Sequence, residues 1–225
     1  MKNLKFYSGV PEGYEAFVLA EKAKKQTLLY VASDEKKAKR IWETLQYISP
    51  QTLVLFYPCW DTVPYDRTSP APDILGQQMD ALLQISSLKE KAVVITCVAA
   101  LIQLVVPRDF LKEITFSVQK GDTIDFEKLK AFLLKNGYQQ TDVVMQAGDF
   151  AIRGELIDIF TPQLPEPVRL DFFDNELETI RFFNPITQRS SGFLDQVQFQ
   201  AVRPFHLDEV ARVLFRTRFR ELFDN

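Results

Sequence analysis

Arg153, Arg169 and Phe173 are the residues of this 225-residue chain whose types and spacing best suit chemistry, and the chemistry is that of an interface rather than a reaction. In Val168-Arg169-Leu170-Asp171-Phe172-Phe173, strand alternation sends Val168, Leu170 and Phe172 to one face and Arg169, Asp171 and Phe173 to the other. The first face reads as core. The second sets a guanidinium beside a large ring that folding does not need there, and arginine and aromatic side chains dominate binding hot spots. The same alternation turns Phe150 and Ile152 inward and Arg153 outward, with Gly154 breaking the pattern as a bulge or a close-approach glycine would. Asp158 and Asp171 are spaced to hold one or other guanidinium planar and aimed. A plainer reading stays open at this point, with arginines that only solvate the sheet and Phe173 in the core at a shifted register.

Other reactive residues make weaker cases. Asp171, Asp174, Glu176 and Glu178 crowd one strand turn, but acids adjacent along a turn do not supply the convergent geometry of a general acid or a metal site. Cys59 and Cys97 are the only cysteines and stand far apart in sequence, suggesting two buried thiols rather than zinc or a disulfide framework. His206, the single histidine, has no nearby Ser or Cys to activate and reads as structural. Arg212, Arg216, Arg218 and Arg220 lie among Asp208, Glu209, Glu221 and Asp224, which describes a solvated helix face with spaced ion pairs. Trp42 and Trp60 read as core anchors. The expectation is no catalytic residue, no cofactor and no metal.

The elements that must position Arg153, Arg169 and Phe173 come in two textures. Apolar runs at 28–32, 53–57 and 93–97 alternate with helical patterns at 14–25, 34–48 and 74–88, the signature of a parallel sheet flanked by helices. A further helix is expected over 99–106, stopped by Pro107. Beyond residue 113 the pattern changes. A strand over 114–118 and a turn at Gly121-Asp122 precede a helix capped by Asp125, whose Phe126, Leu129, Phe132 and Leu133 form one apolar stripe ending at Gly137. Strands are then expected at 142–146, 150–160, 168–173 and 177–183, with a rigid three-proline loop at 162–167. The fold class is therefore α/β: a parallel-sheet domain over 1–113, a smaller α+β domain with an antiparallel sheet over 114–202, and a C-terminal helix in 203–225. The unfinished apolar face of that helix suggests a truncated chain. A hydrophobic content of 46% with 19 Phe supplies material for packed cores. The net charge of −3 and pI near 5.4 argue against a broad nucleic-acid footprint. No apolar run reaches the roughly 20 residues of a membrane span, and Met1 to Phe6 lacks a signal-peptide core, so a cytoplasmic protein is expected.

Arg153-Gly154-Glu155-Leu156-Ile157-Asp158-Ile159-Phe160-Thr161-Pro162, followed by Arg169 to Glu178, resembles the UvrA-binding domain shared by the excision-repair protein UvrB and the transcription-repair coupling factors (Mfd). Tyr57-Pro58-Cys59-Trp60-Asp61-Thr62-Val63-Pro64-Tyr65-Asp66, with Ser69-Pro70 and Asp73-Ile74, is similar to the coupling-factor version of the first domain rather than to the UvrB version. The resemblance covers essentially the whole chain. It implies that residues 1–113 form a degenerate nucleotide-binding-like parallel-sheet domain, and that the chain is a non-catalytic adaptor that binds UvrA through Arg153, Arg169 and Phe173, supported by Asp158 and Asp171, and recruits it to lesion-stalled RNA polymerase. It further implies contacts with RNA polymerase and DNA through parts outside this chain, an ATP-dependent translocase motor also outside it, and an autoinhibitory contact with the protein's own C-terminal region. The alternatives are a UvrB-type damage-binding protein and a DNA-binding module. A helicase-like first domain would need a phosphate loop, and Ser8-Gly9-Val10-Pro11-Glu12-Gly13-Tyr14-Glu15 lacks the Lys-Ser or Lys-Thr pair, while Pro11 has no amide and Glu15 brings a negative charge. This stretch is expected to be a turn opening a helix.

Overall fold

A strand buried on both faces of a parallel sheet is continuously apolar, and β3 (Ala92–Cys97) has all six residues buried. It lies between β1 (Leu28–Ala32) and β2 (Leu53–Phe56) in a parallel sheet of order β1-β3-β2. The computed structural model describes residues 6–63, 66–205 and 209–223. The expectations placed on Met1 to Lys5, Pro64-Tyr65, His206, Asp208 and Asp224 lie outside the described residues. Two compact units are present, one comprising Met1–Pro64 with Ala81–Val105 and the other Tyr65–Asp80 with Val106–Asn225.

In the first unit, α1 (Tyr14–Ala23) and α2 (Glu35–Ile48) bury Ala16, Ile41 and Leu45 with Val93 and Ile95 of β3. Asp34 caps α2 by accepting from the Lys37 amide at 2.8 Å, as a short carboxylate at that position should. Trp42 is half-buried against Phe56, ring centres 5.7 Å apart. The helix α3 (Pro72–Ser86) is divided between the units at Asp80. The helix expected over 99–106 is shorter, since α4 spans only Val98–Leu101. Val106 precedes Pro107, which disfavours the helical region at that residue. Pro107 then caps α5 (Arg108–Glu113), a helix that the sequence reading missed; proline, with fixed φ and no amide, suits a helix start as well as a stop.

The second unit is built on a six-stranded sheet, β10-β9-β8-β7-β6-β5, formed by β5 (Gln139–Gln140), β6 (Asp149–Arg153), β7 (Leu156–Ile159), β8 (Val168–Phe173), β9 (Glu176–Phe183) and β10 (Ser190–Leu194). Only the β5–β6 pair is parallel. A second, two-stranded sheet pairs β4 (Thr115–Gln119) with β11 (Gln196–Gln200). Phe150, Ile157, Ile159, Val168, Leu170, Phe172 and Ile180 meet Leu129 and Leu133 of α6 (Phe126–Lys135) and Phe199 of β11 in one core. Phe126 packs edge-on against Phe172 with ring centres 4.6 Å apart. The buried Tyr138 hydroxyl donates to the Gln200 carbonyl at 2.7 Å and lies 2.9 Å from Thr161 Oγ1, and burial pushes its phenol up from the usual tyrosine range. The last helix, α7 (Glu209–Phe223), exposes Val213, Leu214, Phe215, Phe219, Leu222 and Phe223.

Three local expectations are corrected here. The segment 150–160 is a hairpin rather than one strand, because Arg153 pairs with Leu156 across Gly154-Glu155. Gly154 has φ +60 with nothing within 4 Å of an added Cβ, so it serves a left-handed turn and is neither a bulge nor a close approach. Residues 142–146 form a loop, since the amides of Met145 and Gln146 both donate to the Asp149 carboxylate at 3.1 Å, which removes the need for a ladder partner. The bulge lies in β9, where Asp171 pairs with Thr179 and Phe172 with Leu177. It lets Leu177 and Ile180, three residues apart, both reach the core.

Candidate protein-docking site

The sheet face opposite that core carries a charge ladder. Direct cross-strand pairing aligns Ala151, Asp158, Arg169 and Arg181 across β6 to β9, so their side chains share a face. Asp158 is only 1% exposed and receives two guanidinium groups. Arg169 donates from Nε to Oδ1 at 2.7 Å and from Nη2 to Oδ2 at 2.8 Å, the two-pronged arrangement that fixes a guanidinium in plane. Arg153 donates from Nη2 to the same Oδ2. The guanidinium carbon of Arg169 lies 4.6 Å from the Phe183 ring centre, within cation–π range. The bond to Asp158 is the first cause holding the Arg169 side chain above its ordinary value, with burial opposing it.

Arg153 and Arg169, read as equivalents in the sequence, are therefore not alike. Arg169 has a side chain 14% exposed, whereas Arg153 is 45% exposed. Arg169 is a pillar of the face and Arg153 its accessible donor. Phe173 stands at the end of β8, opposite Glu176 and beside a turn in which Asp174 adopts φ 57. Its ring is 69% exposed while Phe172 is buried, which excludes the shifted register. Asp158 accepts from both arginines. Asp171 does not: it binds Arg181, Nη2 to Oδ2 at 2.6 Å, and acts on Arg169 only as a more distant attractive charge. Arg181 was missed because the bulge in β9 breaks the alternation from Glu176 that would have placed it. Phe183 was missed too, as was Gln188, whose backbone carbonyl accepts from Arg169 Nη1 at 3.4 Å. The signal for Gln188, φ +59 in a non-glycine, is invisible in sequence.

Away from this face, the Gly13 amide donates to Glu15 Oε2 at 3.0 Å, and Lys37 Nζ meets Glu15 Oε1 at 2.9 Å. The Lys37 bond is the main reason the Glu15 carboxyl lies below its usual range. A turn amide where a nucleotide phosphate would be sought is thus held by the chain's own carboxylate. Cys59 and Cys97 are both free thiols. Cys59 donates to Glu35 Oε2 at 2.9 Å, and burial first, then Glu35, pushes its thiol up to about 12. A thiol so protonated at neutral pH is a poor nucleophile. Among the described residues no group of three His, Cys, Asp or Glu is placed to hold a metal ion, and no helix is long and apolar enough to cross a membrane.

Comparison with known proteins places this face in context. The UvrB interaction domain family matches residues 116–205, which include β6 to β11. The chain is similar to the transcription-repair-coupling factor of Haemophilus influenzae, 31% identical over 221 residues that cover 97% of this chain and 19% of that protein. It is likewise similar to that of Escherichia coli, 31% identical over 211 residues, 93% of this chain and 18% of that protein. The coupling factor of Bacillus subtilis is 29% identical over 161 residues, 72% of this chain and 14% of that protein. The chain thus spans less than a fifth of the length of these relatives.

Proposed function

We propose that this chain, similar over nearly its whole length to transcription-repair-coupling factors and matched over residues 116–205 by the UvrB interaction domain family, is a non-catalytic docking module that binds UvrA. In this reading residues 114–202 supply the contact. Arg153 gives charge-assisted hydrogen bonds to the partner, Phe173 enters an apolar pocket on it, and Arg169 with Asp158 holds Arg153 in position. The complete protein would recruit UvrA to lesion-stalled RNA polymerase in the cytoplasm during transcription-coupled nucleotide excision repair. Its ATP-driven translocation on DNA and its contact with the polymerase would belong to parts outside this chain. The same face is the natural place for an autoinhibitory contact with the protein's own C-terminal region.

The observation that carries the reading is an exposed Phe173 on the same rigid sheet face as a guanidinium pair clamped by a buried carboxylate. A phenylalanine so exposed contributes little to folding, yet it stands where a partner would bury it. Calorimetric titration with UvrA tests this. The Arg153→Ala/Phe173→Ala variant should bind about 30-fold more weakly, equivalent to about 2 kcal/mol, with an unchanged circular dichroism spectrum. Affinity equal to that of the unaltered chain would remove the pair from the interface. Arg169→Ala is a poorer test, because losing the pillar also disturbs the fold.

A further inference from the structure

We infer that the docking face extends across the sheet to Phe193, which serves as a second aromatic anchor for the same partner as Phe173; this rests on the UvrA-docking reading above. Phe193 is 76% exposed. It lies in β10 directly opposite Arg181, while the next residue, Leu194, pairs with Ile180 and packs against the core. Its side chain therefore stands on the ladder face. No folding role accounts for it, since the core contact of β10 is made by its neighbour.

Scale and the unmet polar groups between the rings favour a single partner over both. The β8 stretch from Phe173 to Arg169, which faces Glu176 to Arg181 of β9, and the two strand spacings between β8 and β10 put the rings roughly 16 Å apart, at about 3.3 Å per residue and about 4.8 Å per strand. A partner footprint of about 800 Å² is roughly 30 Å across, so one standard interface covers both. Between the rings lie Asp171, Thr179 and Arg181, where Thr179 Oγ1 and Arg181 Nε have no hydrogen-bond partner. Arg153, Arg169 and Arg181 share the carboxylates of Asp158 and Asp171, while Glu176 stands across from Phe173 at the edge of the face. The complementary surface is one that presents an apolar recess for each ring and a carboxylate between them.

The test is calorimetric titration of UvrA with the unaltered chain, Phe193→Ala and Phe173→Ala, each checked for an unchanged melting temperature. Phe193→Ala is expected to weaken binding about tenfold, with Phe193→Leu recovering part of the loss. Phe193→Ala within twofold of the unaltered chain, while Phe173→Ala binds weakly, would overturn the second anchor and leave the docking reading standing. No binding by the unaltered chain would overturn both.

Discussion

Asp158 concentrates more consequence than its size suggests, because one nearly sealed carboxylate holds two guanidinium groups of different exposure. An isolated buried charge is expensive, and removing one member of a buried pair costs about 3–5 kcal/mol. Arg153 is half in water and recovers part of that cost, so surface screening lowers the expectation. Asp158→Ala should destabilise the second unit by about 2–3 kcal/mol in chemical denaturation. Arg153→Ala should cost less than about 1 kcal/mol. Equal losses for both would mean that Asp158 is no more than a surface partner. The asymmetry also separates positioning from contact: binding lost in Arg153→Ala with stability retained belongs to the interface, whereas binding lost together with stability belongs to the pillar.

At the scale of elements, the second unit is closed by polar contacts as well as by apolar ones. Tyr138, just after α6, ties the start of the sheet to β11 through the Gln200 carbonyl and to Thr161, the residue before the 162–167 loop. Tyr138→Phe keeps the ring and removes the donor, leaving a buried carbonyl unpaired, which costs about 1–3 kcal/mol. Thermal unfolding should report a lower melting temperature, and an unchanged one would mean that water replaces the bond. Much of this architecture was readable. Asp125 announced its helix start because capping depends on local chemistry, and 168–173 announced its faces because alternation survives wherever a strand is regular. The misses fall where a local code yields to pairing. Ser190, Ser191 and Gly192 carry no strand signal, and β10 exists because β9 offers it an edge. Arg181 and Phe193 stayed hidden behind the same cause, since a single extra residue at Glu178 resets which side chains face outward. The site was legible to the extent of Arg153, Asp158, Arg169 and Phe173 sharing a face; which arginine is covered depends on Phe183 and Gln188, and those come from distant sequence.

At the scale of the whole molecule, the second unit is assembled from separated stretches, with Tyr65–Asp80 joining Val106–Asn225. Gly76 of α3 explains how closely: an added Cβ would sit 2.2 Å from Pro162 Cβ and 3.0 Å from its backbone carbon. A proline ring and main chain cannot step aside as a flexible side chain would. Gly76→Val should therefore lose about 2 kcal/mol, the clash outweighing the few tenths that a better helix former returns, and differential scanning calorimetry measures the difference. Full stability in that variant would show that α3 and the proline loop move apart freely.

The bond from Gly13 to Glu15 has its own reach. A covalently tethered occupant is present at a constant effective concentration. By this contact the amide at the mouth of α1 finds its acceptor within the same turn, so the helix start is closed by the chain itself rather than left for an outside group to complete.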